Sequence, residues 1–202
     1  MVASVERVMG YYGAAVDQDE LAQIADSDAS RGTSVSAMAA SLNKLTSRLG
    51  VKMRTIYSWD YREFMEVMTD YNRAAKRGKT APEVPISGQR IDMSEVMHAV
   101  RPDLFKEVRM KKVADFGKFQ REIERSIDAG VPLLWSVELG LVPEEKLSAQ
   151  AFGGHMRLII GYNAKEIIYT DSWGMGHEEK RMPVEDAWTM TMGLCVLQPI
   201  GT

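Results

Sequence analysis

The sequence predicts an α+β protein, because helix-like and strand-like segments occupy different parts of the chain. Through most of the first half, apolar residues recur every three or four positions, which is the spacing of an amphipathic helix. After Gly130, apolar residues gather in short runs that are typical of strands. The 202 residues are enough to bury a hydrophobic core. We therefore predict a helical subregion followed by a β-rich one.

Three helices are predicted before residue 50. The first ends at Gly13 and the second lies in "DQDELAQIADS", with an Asp cap. The third follows a cap at Thr33 or Ser34. The apolar faces of the first and third helices are Val2, Val5, Met9 and Tyr12, and Val35, Met38, Leu42, Leu45 and Leu49.

The middle of the chain begins with a strand, because "VKMRTIYS" at 51–58 alternates between apolar and polar residues. A longer helix follows and ends in the basic segment "KRGK". Gly and Pro residues make 78–92 a loop, and "DMSEVMHAV" is a short helix closed by Arg101-Pro102. The longer helix carries its apolar face on Tyr61, Phe64, Met65, Met68 and Tyr71.

One further helix precedes the β-rich region and ends at Gly130. Four strand-like runs follow it, at 132–139, 155–162, 166–170 and 193–199, and only "VEDAWTM" interrupts them. The apolar face of that helix is Phe116, Phe119, Ile123 and Ile127.

Composition and charge exclude several classes of protein. The net charge of −3 provides no basic patch, so nucleic acid is not an expected partner. No apolar run approaches the roughly 18 residues of a membrane span, and the N-terminus has no signal-peptide pattern. The compartment stays open, because an export signal could precede the sequence shown. Cys195 is the one cysteine, so no intrachain disulfide is expected.

His155 and Asp171 bracket two of the predicted strands. Because "GYNAKE" between these strands is a turn, they should pair as a hairpin that returns Asp171 to the start of the first strand. A carboxylate that faces an imidazole fixes its tautomer and raises its basicity, as a general base requires. The pattern predicts that His155 and Asp171 lie within hydrogen-bond distance.

Two neighbours extend this candidate site. Gly154 lets a ligand approach the backbone closely, and Trp173 can cover the pair and exclude water. Structural alternatives stay open: Asp171 could cap the turn that follows it, and Trp173 could be a core residue. His177 lies in a polar segment and is expected to be solvated. A metal site is not predicted, because the spacing of the candidate ligands matches no known pattern, and no cofactor is predicted.

The segment "GGHMRLIIGYNAKEIIYTDSWGMGHEE" resembles the papain-like cysteine peptidases. Their pattern runs from a His through a strand, Gly-Tyr, a turn and a second strand to Asn-Ser-Trp-Gly. "ASVERVMGYYG" is similar to the nucleophile helix of the C39-like bacterial peptidases that process bacteriocin leaders, where Cys-x-x-Ala-Ser opens the helix. "RGTSVSAMAASLNKL" is similar to their next helix. For the middle of the chain, about residues 57–112, we identify no similar segment.

This resemblance implies one papain-like domain over 1–202, with a helical subdomain at 1–112, a β-rich subdomain at 113–202 and a cleft between them. It implies hydrolysis of peptide bonds in a peptide or protein substrate. His155 would be general base and acid, and Asp171, which stands where papain has Asn, would orient it. Trp173 and Gly154 would lie beside the substrate.

The resemblance places the nucleophilic Cys one position before Met1 and the oxyanion Gln further upstream. Cys195 lies in an apolar strand-like run and is predicted to be buried instead. The 202 residues alone are therefore expected to be inactive. Three hypotheses follow: a cysteine peptidase whose Cys and Gln lie outside this sequence, a papain-fold domain that binds peptides or a partner protein without catalysis, and a structural domain in which His155 and Asp171 form only a polar contact.

Overall fold

The computed structural model describes residues 1–24, 35–44, 50–79, 81–86, 93–144 and 152–200. Its centre is a six-stranded antiparallel sheet with the strand order β1-β6-β2-β3-β4-β5. The strands are β1 Val51–Ser58, β2 Leu133–Leu139, β3 Gly153–Tyr162, β4 Glu166–Thr170, β5 Lys180–Pro183 and β6 Thr191–Pro199. The prediction of an α+β protein is confirmed.

Eight helices lie within the described residues. They are α1 Val2–Tyr11, α2 Gln18–Ile24, α3 Val35–Lys44, α4 Tyr61–Gly78, α5 Met93–Ala99, α6 Pro102–Met110, α7 Val113–Asp128 and α8 Val184–Met190. Gly13, at a positive φ of 76°, follows the first helix, as the sequence predicts. The Asp17 carboxylate caps α2 by accepting from the backbone N–H groups of Asp19 and Glu20.

The helices form a layer on each face of the sheet. One face of the sheet packs against α1, α2 and α3, and the other packs against α4 to α8. Leu134 and Leu158 point into the first layer, whereas Trp135 and Ile159 point into the second, because neighbouring residues of a strand face opposite sides. The sheet is therefore buried on both faces. The division into subdomains at residue 112 stays a prediction.

Two elements differ from the sequence prediction. The sequence analysis ended a helix at Arg101-Pro102 and assigned nothing to the following segment, but Pro102 begins α6. Proline is favoured at the first position of a helix, because the N–H that it lacks would have no partner there. The second difference is the strand β5, which the sequence analysis does not predict. It lies at the edge of the sheet, and it is too short and too charged to show an apolar strand pattern.

Other predictions lie partly outside the described residues. These are the cap of α3 at Thr33 or Ser34, the apolar residues Leu45 and Leu49, and part of the predicted loop at 78–92. Within the described part of the chain, no helix has the length and apolar character that crossing a membrane requires.

Candidate active site

The hairpin of β3 and β4 brings His155 and Asp171 together. The last paired residues of the hairpin are Leu158 and Thr170, so Asp171 follows β4 directly and lies beside the first residues of β3. The Asn163 side chain closes the turn by accepting from the backbone N–H groups of Lys165 and Glu166. The imidazole Nε2 of His155 lies 2.7 Å from Oδ1 of Asp171. The hairpin thus produces the contact that its sequence pattern predicts.

Asp171 is buried and ionised. Burial by itself raises the pKa of this carboxyl, but the hydrogen bond and charge of His155 and the charge of Arg157 outweigh burial and lower the pKa to about 2. An ionised carboxylate only accepts hydrogen bonds, so the proton of the contact lies on Nε2 of His155. Nδ1 is then the nitrogen with a free lone pair in the neutral ring, and none of the described residues is hydrogen-bonded to it.

Asp171 also makes the local contact expected of a turn aspartate. Its Oδ1 accepts from the backbone N–H of Ser172 at 2.7 Å. The two interpretations of Asp171 from the sequence, a partner of His155 and a cap of the following turn, are therefore compatible.

The sequence analysis missed Arg157, which contacts the second oxygen of Asp171. Arg157 is fully buried, and its Nε donates to Oδ2 of Asp171 at 2.8 Å. Its Nη1 lies 2.9 Å from Oε2 of Glu144, whose carboxylate also accepts from the hydroxyl of Tyr169. Strand alternation could have predicted this contact: residues two apart on β3 lie on the same face of the sheet, and Arg157 lies two residues after His155.

Trp173 lies against His155. The centroids of the two rings are 4.5 Å apart and their planes are tilted by 36°. Trp173 keeps 42% of its surface exposed, so it shields one side of the imidazole and also faces solvent. Trp173 also contacts the ring of His177 edge-on, with the two ring centroids 5.9 Å apart. His177, which the sequence predicts to be solvated, is half-buried, and its Nδ1 is buried without a partner among the described residues.

Gly154 lies on β3 opposite Glu138 of β2 and is exposed. A Cβ atom at Gly154 would meet nothing within 4 Å. The backbone beside His155 is therefore open to solvent, which is the accessibility that the sequence analysis expected there. Glu138 is buried next to it, and burial raises the pKa of its carboxyl to about 7.

The N-terminal end of α1 lies at the same site. Further along α1, Nη1 of Arg7 donates to the backbone oxygen of Asp171 at 2.9 Å and to the hydroxyl of Thr170 at 3.1 Å. Ser4 is buried, and its hydroxyl points to the backbone oxygen of Met156 on β3. These contacts connect α1 to both strands of the hairpin.

Cys195 lies away from these groups in the middle of β6. It pairs with Thr55 of β1 and Leu134 of β2, and its side chain is buried in the core beneath α1 to α3. Burial raises the pKa of its thiol. Among the described residues, no group of three or more His, Cys, Asp and Glu side chains is arranged to hold a metal ion.

Comparison with known proteins identifies a family. The sequence model of the Peptidase_C39 like family matches residues 85–196, which include His155, Arg157, Asp171 and Trp173. No curated protein and no solved structure matches the chain significantly. The matched segment spans 112 of the 202 residues, which is more than half of the chain. It includes 85–112, where no similarity is identified from the sequence, and it begins after α1 and α3. The chain therefore belongs to the Peptidase_C39 like family and is a papain-like, peptidase-related domain.

Proposed function

We propose that this domain cleaves peptide bonds through a cysteine nucleophile carried just before α1, with His155 and Asp171 as the other two members of the catalytic triad. The observation that carries the proposal is the 2.7 Å contact between Nε2 of His155 and Oδ1 of Asp171, in a hairpin that Ser4 and Arg7 of α1 contact. Because Nε2 of His155 is hydrogen-bonded to Asp171, the lone pair of Nδ1 is available to take a proton from a thiol.

The roles of the two residues follow from these atoms. His155 accepts the thiol proton on Nδ1, the thiolate attacks the scissile carbonyl carbon, and the imidazolium gives the proton to the leaving amine. Water then attacks the thioester and passes a proton to His155, and the acid product leaves with the thiol restored. Asp171 remains ionised throughout, which fits its low pKa, and it orients the ring.

The position of α1 supports a thiol as the reacting group. The first N–H groups of a helix have no intrahelical partner and carry partial positive charge, which favours a thiolate at that end. A histidine beside the helix end lowers the pKa of a thiol further once the ring is protonated. Trp173 reduces the contact of the ion pair with water, and the exposed backbone at Gly154 can receive an extended substrate.

A non-catalytic function is the second candidate. The one cysteine, Cys195, is buried in the sheet, so these 202 residues carry no thiol beside His155. A domain of this kind would use the surface around Gly154 and Trp173 to bind a peptide or a partner protein. The presence or absence of a reactive thiol before α1 separates the two functions.

The test extends the chain with the codons that precede Met1 in its gene. If these encode a Cys close to Met1, the extended protein should react with a peptide carrying a thiol-directed electrophile, and His155→Ala should abolish the reaction. Tyr61→Ala is the control, because it also removes a ring, from an exposed side chain on α4. A preceding stop codon, or a preceding Cys that remains unlabelled in the folded protein, would contradict the proposal and favour the binding function.

A further inference from the structure

We propose that Arg157 is a positioning residue for the His155–Asp171 pair, and that it orients the Asp171 carboxylate so that one oxygen faces the imidazole. The inference rests on the function proposed for this site, but its test does not depend on catalysis. Arg157 does not touch the reacting atoms in this scheme and acts through Asp171.

The two oxygens of Asp171 have separate partners. Oδ1 accepts from His155 at 2.7 Å, and Oδ2 accepts from Nε of Arg157 at 2.8 Å. The torsion that rotates a carboxylate about its Cβ–Cγ bond is soft. The other two donors, His155 and the backbone N–H of Ser172, both contact Oδ1, so without Arg157 none of these donors holds Oδ2. A second charged donor from a different direction defines the plane of the carboxylate, and with it the position of Oδ1.

Arg157 is itself held in place from several sides. Its Nη1 contacts Glu144, and its guanidinium carbon lies 4.9 Å from the ring centroid of Tyr169. The hydroxyl of Tyr169 donates to Glu144 at 2.7 Å, so the aromatic ring and the acid that contact Arg157 also contact each other. Lys180 lies 3.8 Å from the same carboxylate of Glu144. Contacts other than the one with Asp171 therefore hold the guanidinium in place.

An arginine suits this position better than a lysine. Its planar group presents several donors in fixed directions, so Nε and Nη1 reach two carboxylates at once. A lysine ammonium is a point charge on a flexible chain and cannot reproduce this bridge. The alternative is that Arg157 only neutralises two buried acids, in which case the state of His155 should not depend on it.

The experiment measures His155 by NMR in the 202-residue protein. The chain has three histidines, so the ring signals of ¹⁵N-labelled protein are few, and His155→Ala assigns the one that matters. The intact protein should show a solvent-protected Nε2–H and the neutral tautomer protonated on Nε2. In Arg157→Met we expect the protected Nε2–H signal to be lost and the two tautomers to mix.

Arg109→Met is the matched control. Arg109 is also fully buried and also lies against an aromatic ring, that of Trp188, but it donates to the backbone oxygens of Trp188 and Thr191. Its loss should leave the His155 signals unchanged, although it removes a buried arginine of the same kind. Loss of the His155 signature in both variants would show a general loss of packing and overturn the proposal.

A wild-type His155 signature in folded Arg157→Met would also overturn it, while leaving the proposed peptidase function untouched. If Arg157→Met does not fold, Arg157→Lys provides the test, because it keeps the charge but not the bridge. We expect the protected signal to be lost in that variant as well, and its full retention would overturn the proposal. Conversely, failure of thiol labelling in the extended protein would remove the peptidase function and leave the positioning of Asp171 standing.

Discussion

Asp171 is the residue on which the contacts of the site converge. Its carboxylate accepts from His155, Arg157 and the backbone of Ser172, and its own backbone oxygen accepts from Arg7. The first two partners come from β3 and the last from α1. A single buried side chain thus joins the hairpin to the helix that begins at the site, and a change at Asp171 should affect both stability and chemistry.

The low pKa of Asp171 predicts a pH dependence of stability. Its pKa is about 2 in the folded protein and 3.8 in its ordinary state, so folding is favoured while the carboxyl is ionised. The stabilisation should be present in full above about pH 4 and disappear as the pH falls through 2, with a size of about 2 kcal/mol. Urea unfolding between pH 7 and pH 2 should show this loss in the intact protein and a smaller one in Asp171→Asn.

Asp70→Asn is the control for that measurement, because Asp70 forms an exposed pair with Arg73 on α4. Exposed pairs contribute little, so this variant should follow the intact protein. Equal pH dependence in Asp171→Asn and the intact protein would contradict the prediction.

Cys195 should be unreactive in the folded protein. Its thiol is buried within the sheet and burial raises its pKa, so little thiolate forms and reagents have no access to it. Iodoacetamide followed by mass spectrometry should find Cys195 unmodified under native conditions and fully modified in denaturant. Rapid native labelling would mean that the thiol is accessible and that the nucleophile has been assigned to the wrong place.

At the scale of elements, the sequence predicts best where the apolar pattern is strong. The bounds predicted for β1 and β4 coincide with the structure, and α1 and α4 carry continuous apolar faces. The hairpin follows from two strand-like runs and a turn with Asn163, so the His155–Asp171 contact could be foreseen. These features depend on residues that are close in sequence, which is what pattern analysis can detect.

The features that the sequence did not predict depend on distant contacts. The strand β5 is identified by its pairing with β4. Arg157 lies within an apolar run, and the two acids that neutralise its charge come from other segments of the chain. The placement of helices on both faces of the sheet likewise follows from the strand order, which local periodicity does not encode. His177 lies in a polar segment, and its partial burial includes a contact with Trp173 that the segment does not indicate.

The contact of α1 with the end of β4 predicts a local effect of Arg7. Arg7→Ala removes two hydrogen bonds from a charged donor, which should lower the free energy of unfolding by about 1–2 kcal/mol and speed amide exchange in α1. Arg62→Ala, on an exposed part of α4, is the control and should change stability by less than about 0.5 kcal/mol. Urea titration with hydrogen exchange measures both. The prediction fails if the two variants behave alike.

At the scale of the whole molecule, the two helical layers differ in size and in their relation to the candidate site. The layer of α4 to α8 supplies the larger core, including Trp135, Trp188 and the aromatic residues around them. The layer of α1 to α3 is smaller, and its first helix reaches the candidate site at the open end of the hairpin. The candidate site therefore lies where one helix end meets two strand ends, which brings groups from distant parts of the chain together.

This arrangement predicts the activity of the 202-residue protein. His155 and Asp171 can orient and transfer protons, but no thiol among these residues lies beside them, so no thioester can form. Peptide hydrolysis should not exceed the background measured with His155→Ala, because loss of the nucleophile alone removes most of the rate enhancement of such triads, on the order of 10⁶-fold. A fluorogenic peptide mixture provides the assay. The same mixture should be cleaved once the natural upstream codons supply both a Cys before α1 and the oxyanion Gln, and His155→Ala should return that cleavage to background. Turnover by the 202-residue protein that persists in His155→Ala would contradict both the missing thiol and the role of His155, because the reaction would then proceed through groups elsewhere in the molecule.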